Sequence, residues 1–176
     1  MRKTILFIGI SLDGFIADKN GGVDWLVGNG EAGVVDSRYE EFLANIDTVI
    51  LGNTTYQQVV HELSPGVWPY SGMKSYVLSN KPQQAKEDTI FLKEDVNTLV
   101  QNLKKEEGKD IWIVGGAGLI QPLLQSNAID EYNISVIPTI LGDGIKLFQD
   151  TFQPIQLEFI SQDEVDGIVS LIYKKK

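Results

Sequence analysis

The chain contains no cysteine, one histidine and two arginines in 176 residues. Without cysteine there are no disulfides and no thiolate metal sites, and the cytosol is the default compartment. The lone histidine, His61, has no acid or nucleophile at a recognisable spacing. It is read as an exposed surface residue, and no metal site is expected. No apolar run approaches the roughly 18 residues of a membrane span. The N-terminal stretch MRKTILFIGISLDGF is interrupted by Gly9 and followed by Asp13 and Gly14, with no small-residue cleavage site. It reads as a first strand rather than a signal peptide. Positive charge is also scarce. The net charge of −9 opposes binding to nucleic acid or an anionic membrane, and no long basic patch offsets it. Lys174, Lys175 and Lys176 are read as a solvated tail.

What is present is ordinary globular material, 43% apolar and 22% charged, enough for one domain over residues 1–176. Six β-rich runs recur: TILFIGI, DTVILG, SYVLSN, DTIFLK, DIWIVG and EYNISVIP. They are mostly continuous rather than alternating, as strands covered on both faces must be. Between them, Tyr39, Phe42, Leu43 and Ile46 follow helical spacing. So do Val96, Leu99, Val100 and Leu103, behind a cap at Asp95 and before a stop at Gly108. Alternation of strand and helix predicts an α/β fold with a mostly parallel central sheet between two helical layers. Asp166-Gly167, between two β-prone runs, predicts an antiparallel C-terminal hairpin.

Three glycines in four positions follow the run DIWIV, at Gly115, Gly116 and Gly118. A strand, glycines and then a helix can cradle phosphate on free N–H groups. The same pattern also serves as a plain tight turn. The dinucleotide fingerprint fails, because Gln121 stands where its third glycine belongs. A P-loop fails too, for want of a following Lys-Ser/Thr. Two other strand ends share the grammar: Gly52 with Asn53, Thr54 and Thr55, and Leu78 with Ser79 and Asn80. Ligands of open α/β sheets bind beyond the carboxyl ends of strands, so three such ends suit a polyphosphate ligand.

The ordered set SLDGFIAD, VDWL, DTVILGNTTY, SYVLSN, IWIVGGAGLI and YNISVIP resembles the dihydrofolate reductase-like fold. It is most similar to the branch containing the C-terminal reductase domain of the bifunctional riboflavin biosynthesis protein. The resemblance spans nearly the whole chain. It implies a three-layer sandwich and an NADPH-dependent reductase acting on a small pyrimidine or pteridine-like substrate, typified by 5-amino-6-(5-phosphoribosylamino)uracil. It also implies a homodimer. Carried over, Gly9 and Ile16 line the nicotinamide side, and Ala17 through Trp25 form a lid over that ring. Gly52, Asn53, Thr54 and Thr55 hold phosphate and ribose, while Leu78, Ser79 and Asn80 lie at the adenosine 2′-phosphate. Val114, Gly115, Gly116, Ala117, Gly118 and Leu119 form the pyrophosphate turn, with Gly115–Gly116 as a cis peptide. The family usually places arginine where this chain has Asn53, which leaves the choice between NADPH and NADH open. Lys81 is a candidate replacement charge.

Ring reduction also needs a proton donor, and Asp36 is the candidate. It extends the apolar face of the Tyr39 helix, where a dry pocket raises a carboxyl pKa. It also falls where dihydrofolate reductases keep their acid. A capping role competes, either for Asp36 itself or through a Ser37–Glu40 capping box. Glu40 is the reserve acid. Trp25 either closes over the nicotinamide or anchors its own loop. Ser135 either contacts substrate or fills space. Asp13 and Gly14 read locally as a turn. No deaminase domain or zinc motif is read in these residues, so the resemblance implies a stand-alone reductase. Two rival functions stay open. A true dihydrofolate reductase needs an arginine for the glutamate tail, and neither Arg2 nor Arg38 is convincingly placed for it. The other rival is a nucleotide-binding protein that has lost catalysis.

Overall fold

A computed structural model describes residues 1–34, 36–81, 88–149 and 153–176. Eight strands form the main sheet: β1 (Thr4–Ser11), β3 (Ile46–Gly52), β4 (Lys74–Leu78), β5 (Thr89–Leu92), β6 (Asp110–Gly115), β7 (Glu131–Ile137), β9 (Leu157–Val165) and β10 (Ile168–Lys175). Their order is β5-β4-β3-β6-β1-β7-β10-β9. The first six are mutually parallel; β10 runs antiparallel to β7 and to β9. Two short strands that the sequence did not announce, β2 (Phe15–Ala17) and β8 (Ile145–Lys146), pair with each other outside this sheet.

The central strands are covered on both faces, which is why they lack polar alternation. Leu6, Ile50, Ile111 and Ile113 turn to one side, where α3 (Val96–Leu103) and α4 (Ala117–Gln125) bury Leu99, Leu103, Ile120 and Leu123. Ile5, Val49, Leu51 and Trp112 turn to the other, toward α1 (Arg38–Leu43) and α2 (Asn53–Gln58). That second layer is largely aromatic. Phe7 stacks on Phe42 with ring centroids 4.3 Å apart, and Phe42 meets Trp112 edge-on at 5.3 Å. Tyr70 continues the chain of rings at 5.2 Å from Trp112. Such tilted and offset pairs add to the burial term.

Local chemistry fixes the ends. Asp95 caps α3 as expected, its Oδ1 accepting from the Thr98 amide at 3.0 Å. The Asp166-Gly167 turn joins β9 to β10, with Asp166 at φ 55° and Gly167 at φ 77°, the left-handed values a type I′ turn requires. The Gly115–Gly116 peptide is cis.

Several expectations need correction. The Tyr39 helix is only six residues long, because Ile46 opens β3. The capping box does not form: the Ser37 hydroxyl donates to Glu41 at 2.6 Å, not to Glu40. Lys174 and Lys175 are not a tail. Both belong to β10, where Lys174 pairs with Glu158 at 3.2 Å and Lys175 Nζ donates to the Asn127 carbonyl at 2.9 Å. His61 is exposed, as expected, in a π-helical turn (Val59–Leu63) that extends α2.

Candidate active site

The carboxyl ends of β3 and β6 are neighbours in the sheet, so their glycines meet. A Cβ on Gly52 would lie 3.8 Å from the Gly116 nitrogen and 3.9 Å from the Gly115 oxygen. One on Gly116 would touch Thr55 Oγ1 at 3.3 Å. A side chain at Gly118 would meet nothing within 4 Å, so the first turn of α4 faces open space. Gly116 is the N-cap of α4 and offers no side-chain cap to its leading amides. Gly52 leads into α2 in the same uncapped way. The result is a cradle of backbone donors with room for an anionic group against it. Further along the same rim, Leu78, Ser79 and Asn80 line a shallow cavity of about 400 Å³ with Leu92, Lys93, Glu94 and Asp95. Ser79 Oγ and the Lys81 amide and carbonyl close a tight local turn.

A second cavity, of about 530 Å³, lies on the aromatic face between α1 and the C-terminal hairpin. Phe7, Tyr39 and Phe42 give it an apolar part; Asn133, beside Phe7 in the sheet, with Ser135, Ser170, Ser161 and Asp163 gives it a polar one. Asp36 and Arg38 stand at its edge. Arg38 reaches across it. Its Nε and Nη2 grip the two oxygens of Asp36 at 2.7 and 2.5 Å, and its Nη1 donates to Ser170 Oγ at 2.8 Å. Ser170 Oγ lies 3.2 Å from Ser135 Oγ. A continuous polar chain thus runs from Asp36 through Arg38 to two strand hydroxyls.

This changes the reading of Asp36. Its side chain is 41% exposed, so no dry pocket surrounds it. The Arg38 guanidinium holds its carboxyl below the usual range instead of letting burial push it up. The residue lines the groove as expected, but as an ionised acceptor. Glu40 does not contribute to the lining; Glu41, one position on, does. Ser135 lies on the groove face of β7. Arg2 does not line the groove. It is buried beneath the amino ends of the strands, bonded to Asp47, Thr48 and the Lys109 carbonyl.

The remaining cofactor-side residues divide. Gly9 lies on the groove face of β1, two residues beyond Phe7, and a Cβ there would touch Leu26 at 3.0 Å. Ile16 packs against the α3–α4 core, and Ala17, expected in a lid, is instead a buried residue of β2. Val114 packs against the aromatic core and Leu119 is buried in the opposite one. Asn53 and Thr54 open α2, and Ala117 opens α4. Trp25 anchors its own loop, its indole N–H donating to the Gly22 carbonyl at 3.2 Å. The loop is tied at both ends: Gln58 Nε2 donates to the Gly21 carbonyl at 2.7 Å, and the Asp166 carboxylate accepts from the amides of Gly30 at 3.1 Å and Glu31 at 2.8 Å. Asp13, held below the usual carboxylate range by the Ser11 hydroxyl, accepts from the amides of Leu141 and Gly142 and is a turn residue, as its sequence suggests. The sequence missed Arg38, Ser170 and Asp166 as site-builders. The only available signals were the scarcity of arginine and the strength of the hairpin turn.

The profile of the RibD C-terminal domain matches residues 2–169. The chain belongs to that family. It is 39% identical over 173 residues to YwjB of Bacillus subtilis (strain 168), covering 98% of this chain and 97% of that protein. Among solved structures, a putative riboflavin biosynthesis protein from Shewanella sp. PV-4 matches with a TM-score of 0.85 and 30% identity, over 99% of both chains. A dihydrofolate reductase from Enterococcus faecalis, complexed with NADP(H), matches with a TM-score of 0.69 and 17% identity, over 99% of this chain and 96% of that one. The last likeness concerns the fold, which is the dihydrofolate reductase-like sandwich that this RibD C-terminal domain shares. Its glycine rim and its groove lie on one sheet, the first at the carboxyl ends of β3 and β6 and the second over the face, from Phe7 and Ser135 toward the amino ends at Lys3, Asp110 and Glu131. Among the described residues no group of histidines, cysteines and carboxylates could hold a metal ion. No helix there is long and apolar enough to cross a membrane.

Proposed function

We propose that this chain is an NADPH-dependent reductase that transfers hydride to a pyrimidine- or pteridine-like substrate, of the riboflavin-biosynthesis type. The observation that carries the reading is the presence of two features on one sheet. The Gly52 and Gly115–Gly118 cradle offers uncapped backbone donors and open space, and Gly9 stands on β1, the neighbour of β6, two residues toward the carboxyl end from Phe7 of the aromatic-walled groove. NADPH fits the donor set. Gly52, Asn53, Thr54, Thr55, Gly115, Gly116, Ala117 and Gly118 hold its phosphates, and Leu78, Ser79 and Asn80 take its adenosine end. When bound, it supplies the hydride. Family membership supports the reductase class.

The protein's own chemistry is then orientation. Phe7, Tyr39 and Phe42 pack against a flat ring. The Asp36 carboxylate accepts N–H groups from the ring edge, and Arg38 keeps that carboxylate ionised and in place. Asp36 is therefore a binding and orienting group, not a stored proton. A spectrophotometric assay of NADPH oxidation against a panel of aminopyrimidines and dihydropteridines tests the proposal. Turnover with at least one ring that is lost in Asp36→Asn supports it. No oxidation across the panel, together with no NADPH binding, refutes it.

A further inference from the structure

We infer that Lys93 selects NADPH over NADH by holding the phosphate on the adenosine 2′ oxygen. This rests on the reductase reading above and deepens it at the adenosine end of the same site. The need for a cation starts in the sequence. A phosphate is held most strongly by charge-assisted hydrogen bonds, and Asn53, at the end of β3, carries no charge. The strand register shows where a charge is available. Gly52 of β3 pairs with Leu78 of β4, and Leu78 pairs with Leu92 of β5. The residues that follow, Asn53, Ser79 and Lys93, therefore leave three neighbouring strands in a row at their carboxyl ends. The Ser79 amide donates to the Leu92 carbonyl at 2.8 Å, which fastens the start of the turn after β4 to the end of β5.

Lys93 lines the cavity of about 400 Å³ together with Ser79 and Asn80, and is the one cation among its described lining residues. It forms no ion pair among the described residues. Two carboxylates, Glu94 and Asp95, share the cavity. Asp95 is committed to capping α3, where it accepts from the Thr98 amide at 3.0 Å. Lys93 is thus the group there that can offset a phosphate carrying nearly two negative charges. A bare 2′-hydroxyl gains little from an ammonium group beside two carboxylates, so the lysine separates the two cofactors instead of tightening both. Lys81, the replacement charge expected from the sequence, does not line the cavity. Its amide and carbonyl close the turn at the Ser79 hydroxyl, each at 3.1 Å.

The test uses the full chain and two probes, the adenosine halves of the two cofactors: 2′,5′-ADP and 5′-AMP. Calorimetry gives both affinities. The expected result is at least about tenfold tighter binding of 2′,5′-ADP, a gap that narrows as salt rises. Lys93 is exposed, so its variants keep the fold. In Lys93→Gln the gap is expected to shrink at least about fivefold through 2′,5′-ADP alone, with 5′-AMP affinity held within about twofold. Lys93→Arg keeps or widens the gap, and Lys81→Gln leaves it within about twofold. Equal binding of the two probes by the wild type overturns the inference, as does failure of both to bind. A gap unchanged in Lys93→Gln, or lost in Lys81→Gln, overturns it as well. NADPH oxidation is followed in parallel. Lys93-dependent selectivity without any oxidation of NADPH refutes the reductase reading alone. Oxidation whose KM for NADPH is unchanged in Lys93→Gln refutes the inference alone.

Discussion

At the scale of single residues, Asp36 and Arg38 decide what the groove can do. With its pKa lowered by the guanidinium, Asp36 contributes stability above its unfolded value of about 3.9 and loses it only as pH falls through the lower folded value. It is therefore ionised across pH 5–8. The pH profile of NADPH oxidation should show no limb from Asp36 in that window, and an Asp36 carboxyl seen by carbon NMR to titrate near pH 6 would contradict the assignment. In Arg38→Ala the carboxyl should return toward its ordinary range, measurable by carbon NMR titration of the aspartate side chains. Gly118 gives a cleaner dissection. Gly118→Ala adds a methyl group that meets no protein atom, and alanine is better than glycine in a helix by up to about 1 kcal/mol. Thermal stability should hold or rise while NADPH affinity falls by about tenfold or more, as the methyl enters the space left for phosphate. The position of Asp36 was legible in the sequence, but its environment was not. Residues two apart do not face each other on a helix. Asp36, however, precedes the helix, and the turn there lets Arg38 fold back onto it.

At the scale of elements, the strands and the terminal hairpin were readable because continuous apolar runs and an Asp-Gly turn act locally. The α3 cap was readable for the same reason, and Asp95→Ala should cost about 1 kcal/mol in denaturant unfolding. What was not readable depends on distant chain. The β2–β8 pair joins residues far apart in sequence. The hold of Asp166 on the Gly30 and Glu31 amides does likewise. That turn anchors the loop, and its neighbours Ile168 and Ser170 anchor Arg38, so the hairpin shapes the groove from outside it. Asp166→Asn should speed amide hydrogen exchange at Gly30 and Glu31 by about tenfold without changing exchange in β1. Equal protection in the variant would show that the loop is held by something else.

At the scale of the whole molecule, parallel strands bring three separated segments of chain to one rim. Gly52–Thr55, Leu78–Asn80 and Gly115–Leu119 all stand at the same end of neighbouring strands β3, β4 and β6. Local patterning identified each corner. Only the strand order, with β6 inserted between β1 and β3, makes the first and third touch. The central claim is that these corners form one dinucleotide site opening onto the groove. The most direct measurement is an amide proton–nitrogen correlation spectrum of the labelled protein titrated with NADPH. The account predicts saturable shifts concentrated at Gly52–Thr55, Ser79–Asn80 and Gly116–Leu119, reaching Gly9. Shifts confined to other surfaces, or no shifts at millimolar NADPH, would contradict it.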